Sequence, residues 1–275
     1  MMNKHSFSLQ VNDGLIVNGD IYSINQELRP VLIISHGFKA YREWGFFPYM
    51  SEKFASSGMI VVNIDFSQNG VVDAEKGIFD ADVFRSVTVT QEISDLNCVI
   101  DNLGSLMSEH SIEGWNGEIY LLGHSLGGAV SMITASQRED IVKLVTWGSI
   151  GDIDRNTQRQ KDNWRKNGVM EFENRLTGQI LYLDVEYLED KLRNKEKYDL
   201  EKCISRLNIP TFILHGDKDF TVSIKEAEKL HSAAKNSEIC IISRANHTFN
   251  CRHPFTGTSE MLEEAINSTI DFLKK

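Results

Sequence analysis

The sequence predicts an α/β protein built on a mostly parallel, doubly wound sheet, with an antiparallel hairpin at its N-terminus and a small inserted lid. Three observations carry this. Short apolar runs alternate with helical periods from Pro30 onward, a turn signal splits the first apolar stretch, and one charged segment interrupts the alternation.

Residues 7–11 and 15–22 alternate polar and apolar positions on either side of Asn12-Asp13-Gly14. An Asp-Gly step supplies the positive φ that a tight hairpin needs, so this opening is read as two antiparallel strands. The next runs, 31–35, 59–65, 118–122, 142–147, 211–215 and 238–242, are short and almost wholly apolar. Strands covered by helices on both faces have this character. Helices are expected between and after them at about 46–57, 90–106, 126–137, 224–234 and 259–273, their apolar residues recurring at three- and four-residue spacing, as in Ile93, Leu96, Val99 and Ile100. Cys98 is read as core packing on that same helix. There is no internal repeat and no low-complexity segment.

Residues 150–207 do not fit the alternation, being crowded with charge and lacking a central-strand run. They are read as a lid inserted within one domain spanning 1–275, with a small hairpin (169–172 and 179–182) and helices near 159–166 and 185–195. At this point of such a sheet an insertion lies over the carboxyl ends of the strands, where ligands bind. Its aromatics Trp164, Phe172, Tyr182 and Tyr187 either line a substrate pocket or form the lid's own small core.

The chemistry centres on Gly123-His124-Ser125-Leu126-Gly127, which joins the strand at 118–122 to the helix from 126. Glycine on both sides removes the Cβ atoms that would clash in so sharp a turn, and the Ser125 hydroxyl is left above the sheet edge before a helix N-terminus. On composition the five-residue pattern alone arises by chance in roughly one chain in ten of this length, and its serine can merely cap a helix. The partners decide its meaning. A serine nucleophile needs a base, and the base needs a third group to hold its tautomer.

Two loops at strand ends supply these in the order acid then histidine: His215-Gly216-Asp217-Lys218-Asp219 and Ala245-Asn246-His247. Asp219 is preferred to Asp217 as the acid, Asp217 being assigned to turn hydrogen bonds. Backbone donors for an oxyanion are expected from Leu126, which follows the serine, and from Phe38 in the loop Ser35-His36-Gly37-Phe38. His36 is read as a structural histidine.

With these residues in hand the chain resembles the α/β-hydrolases over nearly all its length, through His36-Gly37-Phe38, Gly123-His124-Ser125-Leu126-Gly127-Gly128, His215-Gly216-Asp217-Lys218-Asp219 and Asn246-His247. Within that fold, its compact size and short lid between the sixth and seventh strands are similar to bacterial esterases, including cinnamoyl and feruloyl esterases, and to dienelactone-hydrolase-like proteins. Dienelactone hydrolases carry a cysteine nucleophile, and Ser125 departs from that pattern. The resemblance implies a serine carboxylesterase with catalytic Ser125, Asp219 and His247, oxyanion-hole donors Phe38 and Leu126, and an acyl-enzyme intermediate. A peptidase, a thioesterase and a non-catalytic ligand-binding relative remain open alternatives.

Composition bounds the partners. With 39 Asp and Glu against 29 Lys and Arg, the net charge of −10 argues against nucleic acid and anionic membrane surfaces. No metal or organic cofactor is implied; a zinc site from His247, Cys251 and His253 lacks a fourth ligand nearby. The four scattered cysteines and the missing apolar leader and membrane span point to a cytoplasmic protein with reduced thiols. A small-molecule ester is the expected partner, and a homodimer is compatible with the sequence.

Overall fold

The computed structural model describes residues 2–12, 14–24 and 28–275. The first hairpin is β1 (Met2–Gln10) and β2 (Ile16–Ile24), paired antiparallel from Met2 opposite Ile24 to Gln10 opposite Ile16. Asp13 of the expected turn lies outside the described residues. Gly14 beside it has φ +91°. Then come β3 (Arg29–Ser35), α1 (Phe47–Ser56) and β4 (Ile60–Asp65). Residues 66–88, for which the sequence offers no apolar run, form a two-stranded ribbon of β5 (Val71–Asp73) and β6 (Ile78–Phe79), followed by the short α2 (Ala81–Arg85).

The single helix expected over 90–106 is two, α3 (Val89–Asp101) and α4 (Leu103–Glu109). Asn102 divides them by turning its side-chain amide back onto the Cys98 carbonyl at 2.8 Å. A side chain that competes in this way for helix acceptors favours a break. Cys98 itself is half-buried at the edge of the core, while Ile93, Leu96, Val99 and Ile100 are buried. The chain continues through β7 (Trp115–His124), α5 (Leu126–Ala135) and β8 (Ile141–Trp147).

The inserted segment follows, with α6 (Gln158–Asn167), the antiparallel pair β9 (Val169–Asn174) and β10 (Gln179–Asp184), α7 (Val185–Arg193) and α8 (Leu200–Arg206). A capping box at Thr157 and Gln160 starts α6, and Gly168 in the left-handed region ends it. The chain closes with β11 (Thr211–Gly216), α9 (Ile224–Ala233), β12 (Ser237–Ile242) and α10 (Glu260–Leu273).

Eight strands form one sheet in the order β1-β2-β4-β3-β7-β8-β11-β12; the two pairings made by β2 are antiparallel and the rest parallel. Helices α3, α4, α5, α8 and α9 bury one face, with Leu121, Ile133 and Leu144 in its core. Helices α1 and α10 bury the other around Leu122, Val145, Trp147 and Phe249. Register levels the strand ends: His124 lies opposite Trp147, Trp147 opposite Leu214, and Leu214 opposite Cys240. The loops that leave β7, β8, β11 and β12 therefore open along one rim.

A small third core joins Trp164, Leu181, Leu183 and Leu188 of the segment after β8 with Tyr41, Phe79, Phe84 and Val87 from earlier in the chain. Trp164 is buried there and donates its indole N–H to the Leu183 carbonyl at 3.1 Å.

Candidate active site

Ser125 stands at the end of β7 with φ +56° and ψ −119°. A residue with a Cβ is rarely found there, and the strain is held by its surroundings. The Ser125 amide donates to the Trp147 carbonyl at 2.9 Å, which ties the turn to β8. A Cβ on Gly123 would run into the Gly127 carbonyl, and one on Gly127 would run into the Ser35 carbonyl, so α5 can start this close to β3 and β7 only with glycine at both places. Leu126 opens α5 directly behind the serine.

Past β11, the Asp219 carboxylate is buried and fully engaged. Its Oδ1 accepts the Thr221 and Val222 amides, both at 2.8 Å, and its Oδ2 accepts His247 Nδ1–H at 2.6 Å. Burial opposes ionisation of this carboxyl, but the His247 hydrogen bond and charge, with the two amides, outweigh it and hold its pKa below the ordinary value. Asp217 makes no such contact and accepts the Arg244 amide at 2.6 Å. With Nδ1 committed as donor, His247 has its lone pair on Nε2.

Two histidines without an assigned role in the sequence reading support this pair. His124 is neutral, its pKa driven down to about 3 by burial and by the neighbouring His247. Its Nε2–H donates to the His247 carbonyl at 2.9 Å, and the two rings lie 4.7 Å apart. His215, fully buried, donates from Nε2 to the Val222 carbonyl at 2.9 Å and lies 3.4 Å from Asp219 Oδ2. His124 ends β7 and His215 stands one residue from the end of β11, both at the common rim. His36 Nδ1–H donates to the Gly37 carbonyl at 2.9 Å while Nε2 accepts the Phe66 amide at 3.2 Å, so it holds loop backbone.

Ser125 and His247 share the wall of one cavity of about 250 Å³. Among the described residues no hydrogen bond joins the serine hydroxyl to the imidazole. The loop 37–40 forms an adjoining wall, close enough that a Cβ at Gly37 would lie 2.9 Å from Ser125 Cβ. Phe38 is on that loop, and neither its amide nor that of Leu126 has a hydrogen-bond partner among the described residues. Trp44 and the β9–β10 turn, residues 174–176, complete the enclosure.

The aromatics expected in the inserted segment therefore divide differently from a pocket lining. Trp164 and Tyr187 stack 6.0 Å apart, and Phe172 packs edge-on to Phe38 at 5.6 Å, but none lines the cavity. The turn residues Asn174, Arg175 and Leu176 line it instead, and polar turn sequence carries no periodic signal to reveal this. His253 lies apart from His247: its Nδ1 accepts the Gly45 amide at 3.0 Å and its Nε2–H faces the Tyr41 hydroxyl and the Glu75 carbonyl. Among the described residues no group of three or more His, Cys, Asp or Glu side chains is placed to hold a metal ion.

Solved structures match this architecture end to end. Est1E from Butyrivibrio proteoclasticus, in its structure with ferulic acid bound, superposes at a TM-score of 0.72 over 98% of each chain with 19% identity. The esterase domain from a Rhodothermus marinus protein gives 0.66 over 98% of this chain and 97% of that one at 16% identity. The alpha/beta hydrolase GrgF from Penicillium sp. sh18 gives 0.73 over 99% and 98% at 16% identity. No protein-family model matches the sequence, and no curated protein sequence matches it. The chain has the α/β-hydrolase fold. No helix among the described residues is long and apolar enough to cross a membrane.

Proposed function

We propose that the protein is a serine hydrolase of carboxylic esters, with Ser125 as nucleophile, His247 as general base and acid, and Asp219 as the group that orients the imidazole. The observation that carries this is the buried, ionised Asp219 bonded to His247 Nδ1 at 2.6 Å, with Ser125 on the same small cavity in a strained turn ahead of a helix. The similar esterase structures support the choice of esters, since the fold itself hosts many chemistries.

In this reading His247 Nε2 takes the Ser125 proton as the hydroxyl attacks the ester carbonyl. The free amides of Phe38 and Leu126 donate to the oxyanion, where preorganised donors are worth most. His247 passes the proton to the departing alcohol, and the acyl-serine is then hydrolysed by a water that His247 deprotonates. The proton transfer needs the Ser125 hydroxyl and His247 Nε2 within hydrogen-bond reach, and both residues line the one cavity. The segment 150–207 acts as a lid whose hairpin turn selects what reaches the serine.

Labelling with a fluorophosphonate, followed by hydrolysis of short p-nitrophenyl esters, tests the assignment. Ser125 is expected to carry the label, and Ser125→Ala to abolish both label and turnover. Undiminished turnover in that variant would sink it.

A further inference from the structure

The cavity at Ser125 has a charge opposite to that of the molecule. The chain carries −10 overall, yet among the described residues the ionisable side chains lining the cavity, apart from its two histidines, are Lys39 and Arg175. Among the described residues no carboxylate lines it. Lys39 stands on the loop after β3, one residue beyond Phe38, and Arg175 stands on the β9–β10 turn. Neither forms an ion pair among the described residues, whereas Arg42, Arg165 and Arg193 on neighbouring elements are each paired with acids.

Lys39 is half-buried and takes φ +59°, a region that residues with a Cβ seldom occupy. Burial, and then the charge of Arg175, hold its ammonium below the ordinary pKa. The half-buried Lys39 ammonium and the exposed Arg175 guanidinium repel, and an anion bound by both reverses the sign of the interaction. The other walls are apolar, from Phe38, Trp44 and the half-exposed Leu176. An apolar ligand body with one ionised end matches that lining.

We propose that Lys39 and Arg175 form an anion subsite, and that the preferred substrates are small esters whose non-scissile part carries an ionised carboxylate or phosphate. The inference rests on Ser125 as the nucleophile for its catalytic consequence, but not for binding. Arg175 supplies a fork suited to two oxyanion atoms and Lys39 a point charge. The inserted hairpin thus contributes to charge selection through its turn.

Three aryl butyrates of similar size test this: 4-butyryloxybenzoate, 4-butyryloxyphenyl phosphate and the neutral methyl 4-butyryloxybenzoate. The wild-type protein is expected to favour an anionic ester over the neutral one by about tenfold in kcat/KM, the scale of a charge-assisted hydrogen bond at a half-exposed site. Comparing the two anions identifies the group the subsite takes. Added salt should erode the preference through screening, and Lys39→Asn with Arg175→Gln should bring the ratio towards one. Lys39→Asn keeps a residue that tolerates positive φ, and Arg175→Gln alters an exposed turn, so each also serves as a folded single variant. Equal rates on charged and neutral esters, or an undiminished preference in the double variant, would overturn the proposal while leaving Ser125 in place. If no ester is turned over through Ser125, the nucleophile assignment fails separately. Calorimetry with 4-hydroxybenzoate, 4-hydroxyphenyl phosphate and methyl 4-hydroxybenzoate then decides the subsite by itself: tighter anion binding, lost in the double variant, supports it, and equal binding refutes it.

Discussion

The floor and the far wall of the cavity are built on opposite terms. The floor carries Ser125 and His247, and Asp219, which holds His247 from outside the cavity, is buried, accepts three hydrogen bonds and sits where parallel register has levelled the strand ends. Arg175 and Leu176 sit on the exposed turn of a two-stranded hairpin outside the main sheet, with Leu176 49% exposed. The floor can be moved only by moving the sheet. The wall can be changed by changing a turn. On the proposed roles reaction and selectivity are separable, and substitutions on the two sides should fail in different ways.

The sharpest test of the floor is Ser125→Ala, expected to lower kcat/KM by about 10⁴-fold or more, since the attacking atom is removed while the fold stays intact. Because alanine retains the Cβ that strains φ +56°, the unfolding midpoint should hold steady. Ser125→Gly should instead raise stability by about 1 kcal/mol as that strain is relieved. Urea denaturation measures both. Next is Asp219→Asn, expected to cost about 10³- to 10⁴-fold, carried mostly by kcat, because an amide can meet His247 Nδ1 with a donor and favour the wrong tautomer. A drop confined to KM would mean that Asp219 does not orient the imidazole.

The same contrast governs what was legible in the sequence. The strands of the main sheet from β3 onward are largely apolar runs ended by a glycine or polar loop, so these runs and the loops that hold Ser125, Asp219 and His247 could be read from pattern alone. The structure adds the 2.6 Å contact of His247 with Asp219 rather than Asp217, and the supporting histidines 124 and 215. Those two stand at or beside strand ends, but only register shows that they meet the site. The ribbon at 66–88 and the break at Asn102 escaped because both depend on side-chain hydrogen bonds and tertiary contacts rather than on periodicity. Lys39, Arg175 and Leu176 escaped for the same reason: a turn's sequence says that the chain reverses, and not which cavity it faces.

Where the inserted segment meets α3, a cluster of acids links the two regions. Glu92 is buried beside Asp95 and Asp190 under Tyr187, and its Oε2 has no hydrogen-bond partner. Asp190 of α7 accepts the Thr90 amide at 3.0 Å and the Thr90 hydroxyl. Burial, and then the two neighbouring carboxylates, raise the Glu92 pKa well above its ordinary value. A raised folded pKa means that the contribution of Glu92 is full below its unfolded value and is lost as pH rises towards the folded one. Glu92→Gln removes the charge that the fold resists. It should be near neutral at low pH and increasingly stabilising as the pH rises, the direction set by the raised pKa. A variant whose advantage in urea unfolding does not grow with pH would show that Glu92 is not the resisted charge.

The smallest effect is expected on the wall, and it closes the comparison. Leu176 presents its side chain to the cavity from the β9–β10 turn and leans against Gly77. Being half-exposed, it supplies little to the fold, so Leu176→Ala should shift stability by no more than about 0.5 kcal/mol. What it removes is apolar surface against the substrate, about 1 kcal/mol for the part of a leucine that an ester would cover. That surface touches ground state and transition state alike. KM for a butyrate ester should therefore rise about fivefold with kcat nearly unchanged, the reverse of the pattern expected for Asp219→Asn. A kcat loss in Leu176→Ala on the Asp219 scale would join wall and floor into one cooperative unit and remove the distinction between them.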